Sequence, residues 1–392
     1  MLSFSTISGQ QLYQPRIIIG VTYAMFFLPY SGTSIPAYII ALLFLVVNLA
    51  HLRFKAIDAV ILSVILVWFI LKCQQSSLAS AVTLLRYYFG FYIFYLFFNN
   101  LSFKLNFEKL LFWISVVVII EAFLINTILP PNLLPNYPKN EMVEDAFKTQ
   151  ILGFYQRPYS IGTNSSITST ILVLLLFCIE EYKQKSGLKI PRKLLAIATF
   201  AVVILGSGVG YILYLLYLIY RINPFKNILR TIISISAVLV VYVLLFVVDI
   251  GAAGGLDKIS NVYMSFLFDF KAAQIDDTLT AFKSDVSFWL IGQKFDDPKD
   301  LIIWSDFAWE NLFYCTGLIG FITTIIIFVV KTNRFNLIPL IIFALGAIHY
   351  GAMYSLPGQL LLGYLFAKSY TNFVKEYVKK NSRKSALRVI EA

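Results

Sequence analysis

The chain has 392 residues, 59% hydrophobic and 14% charged, with a mean hydropathy of +0.77 and a formal net charge of +11. A soluble globular domain carries about 25% charged residues. This composition therefore excludes a soluble enzyme and predicts an all-α, polytopic integral membrane protein, a single helical membrane domain over residues 1–392. Solid apolar runs such as Leu110–Leu129 and Leu312–Val330 exclude an outer-membrane barrel, whose strands alternate in polarity over ~10 residues.

The positive charge is no nucleic-acid signal. It sits between apolar runs, where it orients the chain in a bilayer, and no helix-turn-helix spacing, zinc pattern or basic stripe interleaved with aromatics accompanies it. Cys73, Cys178 and Cys315 form no CxxC pair, and His51 and His349 stand far apart without metal-ligand spacing. No Walker A, GxGxxG, HExxH or GxSxG element is present, so no cofactor and no metal is expected. The N-terminus lacks a basic region followed by a small-residue cleavage site, and no cleaved signal peptide is expected.

Apolar runs fall at Ile17–Tyr30, Ala37–Ala50, Ile57–Leu71, Leu78–Phe98 with Arg86 in its middle, and Leu110–Leu129 with Glu121 inside it. The pattern then breaks at 130–162, a polar stretch with five prolines and six charges. Ser165–Ile179 is the next run, followed by a basic connector up to Lys193. Leu194–Tyr220 is long for one span and short for two. Basic connectors flank it on both sides and Gly206-Ser-Gly-Val-Gly210 lies at its centre, which predicts two short helices joined by a glycine hairpin. Thr231–Val248 precedes a second polar segment, 251–306. Its apolar anchors, among them Phe288, Trp289 and Leu290, predict a helix near the interface. Phe307–Val330, Phe335–Tyr350 and Leu356–Phe366 complete the runs, and a basic tail, 368–392, ends the chain.

The runs amount to about 12 spans. Counted on alternate sides, Lys and Arg number 22 on the side of both termini and nine on the side of the two polar segments, with Arg86 left between. The excess predicts cytoplasmic termini, and places segments 130–162 and 251–306 outside as long extracytoplasmic loops. Loops of this length are usually functional or disordered. No internal repeat supports an inverted-repeat transporter.

Candidate residues gather on the outer side. Arg157 closes the first loop just before Gly162-Thr-Asn164-Ser, where a fixed cation and a helix N-terminus together suit an anion. The plainer reading is a solvated arginine beside an ordinary N-cap at Asn164 or Ser165. Asp306 and Glu310, four residues apart at the mouth of an apolar helix, can share one face, and two acids in one site push one upward into the range of a general base. Alternatively they are solvated acids favoured by a helix N-terminus. Arg86 and Glu121, buried by sequence, either pair with each other or line a substrate cavity. The second loop, with five lysines against nine acids, is no general polyanion surface.

These features coincide with a known pattern. The first loop ends in Arg157 and Gly162-Thr-Asn164 before a helix. The second carries Trp289-Leu-Ile-Gly292, then Ser305-Asp306 and Asn311, then Gly317-Leu-Ile-Gly320. Over roughly residues 153–321 the chain resembles the bacterial O-antigen ligase/polymerase superfamily, in particular the Wzy-type polysaccharide repeat-unit polymerases. The resemblance implies a multi-pass protein of the bacterial cytoplasmic (inner) membrane. It would join undecaprenyl-pyrophosphate-linked oligosaccharides into O-antigen, capsule or exopolysaccharide, without nucleotide sugar. The implied partners are the lipid-linked glycan, the bilayer, and a chain-length regulator and flippase, with no nucleic acid. Family arginines in the outer loops are held to bind pyrophosphate or glycan. Arg157 matches one, and Lys271 stands near the second, where lysine lacks the bidentate fork. Ligases carry a histidine eleven residues before the helix glycine, whereas here that position is Asp306, which fits a polymerase better. The family's Ser-Arg at the helical hairpin is Ser207-Gly208 here, so Arg86 is the candidate substitute. Catalytic roles thus fall to Asp306, Glu310 and Arg157, and substrate binding to Arg86, Lys271 and Asn164. A flippase of the same lipid-linked units and an O-antigen ligase remain the alternatives.

Overall fold

The computed structural model describes residues 20–28, 35–47, 55–100, 104–129, 155–162, 164–222, 275–276, 278–280, 286–297 and 307–390. Among these the chain is all-helical, with no strand. Residues 20–25 are helical. Among the described residues twelve further helices follow: α1 (Ile35–Val47), α2 (Ala56–Gln75), α3 (Leu78–Asn100), α4 (Phe107–Thr127), α5 (Ser165–Gln184), α6 (Arg192–Ile204), α7 (Gly208–Ile222), α8 (Val286–Ile291), α9 (Ala308–Lys331), α10 (Leu337–Gly346), α11 (Leu356–Phe366) and α12 (Lys368–Ile390). Short 3-10 turns lie at Ser160–Gly162 and Ala352–Tyr354.

Five of these helices, α2, α3, α4, α5 and α9, are long and apolar enough to cross a membrane, at about 20 residues for a core of ~30 Å. α12 is as long but rich in charge, and the other apolar helices are shorter. α10 and α11 have 10 and 11 residues, so at ~1.5 Å per residue each reaches about half that thickness. The 194–220 segment is two helices, α6 and α7, turning at Gly206 with φ 59°. The Thr231–Val248 run and most of segments 130–162 and 251–306 lie outside the described residues.

Local chemistry sets several helix starts. Asn106 accepts from Lys109 N (3.0 Å) at α4, Asn164 from Ser166 N (2.7 Å) at α5, and Ser355 from Gly358 N (3.2 Å) at α11. Each satisfies a backbone N–H that the first turn leaves unpaired.

Two helices are enclosed by protein. α5 is buried from Ser165 to Lys183, with α4, α6, α7, α10, α11 and α12 packed around it. α11 is buried along its whole length and lies mainly against α3. Outer helices instead expose apolar side chains, such as Leu43 and Val46 on α1, Val60 and Leu66 on α2, and Phe123 on α4. A helix apolar all round, exposed on one side and packed on the other, suits lipid on its outer face.

At one end of the bundle, charges are paired. Asp58, in the first turn of α2, forms a buried ion pair with Lys331, in the last turn of α9. Asp58 Oδ1 also accepts from the hydroxyls of Tyr92 (3.0 Å) and Tyr95 (3.1 Å), so one carboxylate ties α2, α3 and α9. Nearby, Lys183 meets Glu108 at 2.9 Å and Tyr217 donates to Glu180 at 3.0 Å. These helix ends define the Lys331 end. The opposite ends of the same helices define the other.

Candidate functional site

At that other end, the last residues of the first polar segment are pinned to three helices. Glu121 of α4 accepts from the backbone N–H of Tyr159 (3.2 Å) and Ser160 (2.9 Å). Asn126, also on α4, forms a two-way bridge with Gln156, accepting from its N–H and donating to its carbonyl, both at 2.9 Å. Thr168 of α5 donates to Tyr159 O (2.6 Å) and accepts from Gly162 N (3.0 Å). Ser160 adopts φ 54°, a left-handed conformation that a non-glycine residue holds only where its surroundings fix it.

Arg157 sits in the middle of this clamped strip. Its Nη1 reaches Gly206 O at 3.5 Å, and the neighbouring Tyr155 hydroxyl donates to Ile204 O at 2.9 Å. Both acceptors close the C-terminal end of α6, where carbonyls lack helical partners and a cation is favoured. Burial pushes the phenols of Tyr155 and Tyr159 up to about 12, with Arg157 partly offsetting the rise at Tyr159. Both stay protonated at neutral pH and can donate hydrogen bonds but cannot act as bases.

Behind Arg157 the first turns of α5 carry Ser165, Ser166, Thr168, Ser169 and Thr170, all buried. Ser207, from the α6–α7 hairpin, donates to Ser166 Oγ at 3.0 Å and accepts from Gly210 N at 3.3 Å. Asn164 caps this helix, so its side-chain oxygen is engaged with Ser166 N.

Glu310 lies at the same end, in the first turn of α9, and is buried rather than open at a mouth. Thr278, from the second polar segment, donates to Glu310 Oε1. The start of α9 is fixed by the break between α10 and α11. Ala308 N donates to Ala347 O (3.1 Å), Trp309 Nε1 to Ala344 O (3.1 Å), and the Tyr354 hydroxyl to Ala308 O. The same break reaches the Arg157 region: Gly346 lies against Thr170 of α5, and the Ser160–Gly162 turn packs on α11.

Arg86 is half-buried on α3, with its guanidinium 5.6 Å from the Tyr87 ring centroid. Its carbonyl accepts from Gln359 of α11 (3.0 Å), and Gln359 in turn accepts from Tyr38 of α1 (2.8 Å). Asp306 and Lys271 lie outside the described residues. Glu121, which charge alone offered as a partner for Arg86, is the acceptor that shapes the Arg157 strip.

One feature of this end is invisible in the apolar run that contains it. α9 is broken at Gly317 (φ 64°, ψ −168°), and the end of α8 docks there through Gly292 (φ 79°). The backbones touch: a Cβ on Gly317 would lie 2.5 Å from Gly292 N, and one on Gly292 would lie 2.5 Å from Cys315 C. The carbonyls freed by the break find partners. Tyr314 O accepts from Gln293 N (2.8 Å), and Thr316 O from Trp68 Nε1 of α2 (2.9 Å). Fully buried Lys72 donates to Ile291 O (3.0 Å), to Gln293 O and to Gln75 Oε1 (3.1 Å). Gln75 donates to Gly292 O (3.0 Å). Irregular backbone at membrane depth persists only where protein groups satisfy it, and α2 supplies them here. The sequence marks Gly292 and Gly317 only through the family resemblance and does not signal their contact, and Lys72 carries no signal beyond its charge.

Compared with protein families, curated proteins and solved structures, the chain gives no match.

Proposed function

We propose that the chain is a membrane glycosyltransferase that joins undecaprenyl-pyrophosphate-linked oligosaccharide repeat units at the outer face of a bacterial cytoplasmic membrane. In this reading the chain has about 12 spans, cytoplasmic termini and two outer loops. The observation that carries the proposal is the Arg157 strip. Glu121, Asn126 and Thr168 fix its backbone beside a buried hydroxyl-rich helix start, at the same end of the bundle as the buried Glu310. A guanidinium held this way needs little reorganisation to receive a diphosphate.

The reaction breaks the bond from C1 of the reducing-end sugar to the pyrophosphate oxygen and forms one from C1 to a hydroxyl of the second lipid-linked unit. Arg157, with Arg86 and Lys271, stabilises the negative charge that collects on the departing undecaprenyl pyrophosphate. Asp306 or Glu310 takes the proton of the attacking hydroxyl. Asn164 orders the helix start beneath the diphosphate.

Arg157→Ala should abolish the polymer ladder while membrane levels of the protein stay unchanged, and normal chain length in that variant would refute the assignment. Reconstitution with a labelled lipid-linked unit separates the alternatives. Translocation without lengthening would establish a flippase, and transfer to lipid A core rather than to another unit would establish a ligase.

A further inference from the structure

Three cations from three different elements meet on one aromatic ring at the Lys331 end. Around Phe335 stand Lys185 Nζ at 5.2 Å from the ring centroid, the Arg334 guanidinium at 4.8 Å and Lys375 Nζ at 5.6 Å. Lys185 caps the C-terminus of α5, Arg334 lies in the α9–α10 connector, and Lys375 belongs to α12. The ring is fixed through its backbone. Phe335 N donates to Asn333 Oδ1 (2.9 Å), and its carbonyl accepts from the Tyr370 hydroxyl (3.1 Å).

With these radii, every pair of the three charges lies within about 11 Å, close to the Debye length at physiological salt, so they repel one another. Among the described residues one acid meets the cluster: Glu181 pairs with Lys185 and also accepts from Tyr220. Glu376, next to Lys375 in sequence, pairs instead with Lys104. Positive charge is therefore in excess. Cation–π contact holds each cation in place but neutralises none.

The depth of the cluster identifies what can neutralise it. Phe335 follows the end of the full-length apolar helix α9 by four residues, and Lys185, Arg334 and Lys375 are all exposed. This is headgroup level, where an anionic leaflet presents phosphate. We propose that Lys185, Arg334 and Lys375, splayed around Phe335, form a binding site for the phosphate headgroup of an anionic phospholipid. The inference rests on the membrane reading and is independent of the polymerase proposal.

Native mass spectrometry of the full-length protein, titrated with phosphatidylglycerol or phosphatidylcholine, reads the site directly. The triple variant K185Q/R334Q/K375Q should retain phosphatidylglycerol at least about tenfold more weakly. R334Q/K375Q, which preserves the Glu181–Lys185 pair, should show most of that loss. A control, K189Q/R192Q/K193Q, removes the same charge from exposed residues at the start of α6 and in the connector before it and should stay within about twofold of the parent. The proposal is overturned if the control loses phosphatidylglycerol as severely, which would mean diffuse attraction. It is equally overturned if phosphatidylcholine is retained as well as phosphatidylglycerol, or if inorganic phosphate displaces the lipid, which would mean a site for free anions.

Discussion

Gly317→Ala tests whether the break in α9 is held by backbone contact. Gly317 has φ 64° and ψ −168°, a region almost restricted to glycine, and placing alanine there costs about 1–3 kcal/mol. The new Cβ would also lie 2.5 Å from Gly292 N, Ile291 N and Leu290 C. These are backbone atoms and cannot rotate away, so restoring an ordinary contact of ~3.5–4 Å moves α8 by about 1 Å. That shift stretches the Gln293–Tyr314 and Lys72–Ile291 hydrogen bonds, each worth about 1 kcal/mol net. The total is roughly 3–5 kcal/mol. Gly187→Ala is the control. Gly187 has φ 67° but nothing within 4 Å of its added Cβ, so it reports the left-handed cost alone, about 1–2 kcal/mol. Thermal unfolding in detergent, followed by tryptophan fluorescence, should place Gly317→Ala about 1–5 °C below Gly187→Ala. Equal melting temperatures would show that the α8–α9 contact contributes nothing beyond backbone strain.

Lys331→Met should destabilise the protein by about 3–5 kcal/mol, because it leaves Asp58 charged and buried. Adding Asp58→Asn should recover at least half of that loss in the same unfolding assay, since asparagine keeps an oxygen for Tyr92 and Tyr95 without the charge. The Tyr155 and Tyr159 phenols sit at about 12 when folded, against about 10 in an unfolded chain. The unfolded chain therefore holds fewer protons between these values, and the stability the two phenols contribute is intact below pH ~10 and lost as pH rises through ~12. A series of melting temperatures across that window should fall less steeply in the Tyr155→Phe/Tyr159→Phe variant than in the parent, and an unchanged slope would deny both hydroxyls a part.

Much of the helical framework was legible because hydropathy measures the transfer of each residue on its own. The runs at Ile57–Leu71, Leu78–Phe98 and Leu110–Leu129 predict α2, α3 and α4 to within a few residues, and basic connectors on both sides of 194–220 forced the turn at Gly206. Pair interactions were not legible. Nothing in the sequence singles out Lys72 or Asp58, yet their partners lie 219 and 273 residues away at Ile291 and Lys331. Glu121 also accepts from two backbone N–H groups, those of Tyr159 and Ser160, that no residue type announces. The break at Gly317 hides inside Leu312–Val330 because glycine barely interrupts an apolar average. Run length also overstates span length. Phe335–Tyr350 is largely apolar, but α10 stops at Gly346 so that Ala344 and Ala347 can receive α9.

The enclosure of α5 has a consequence for how the protein is made. Emerging from the translocon, this segment meets lipid with serines and threonines at its start and Glu180, Glu181 and Lys183 at its finish. The elements that later shield it, α10, α11 and α12, are synthesised more than 150 residues afterwards. Insertion and folding are therefore separate stages in biogenesis, and a ribosome-released fragment ending before α10 would present a polar-tipped helix to the bilayer and to quality-control proteases.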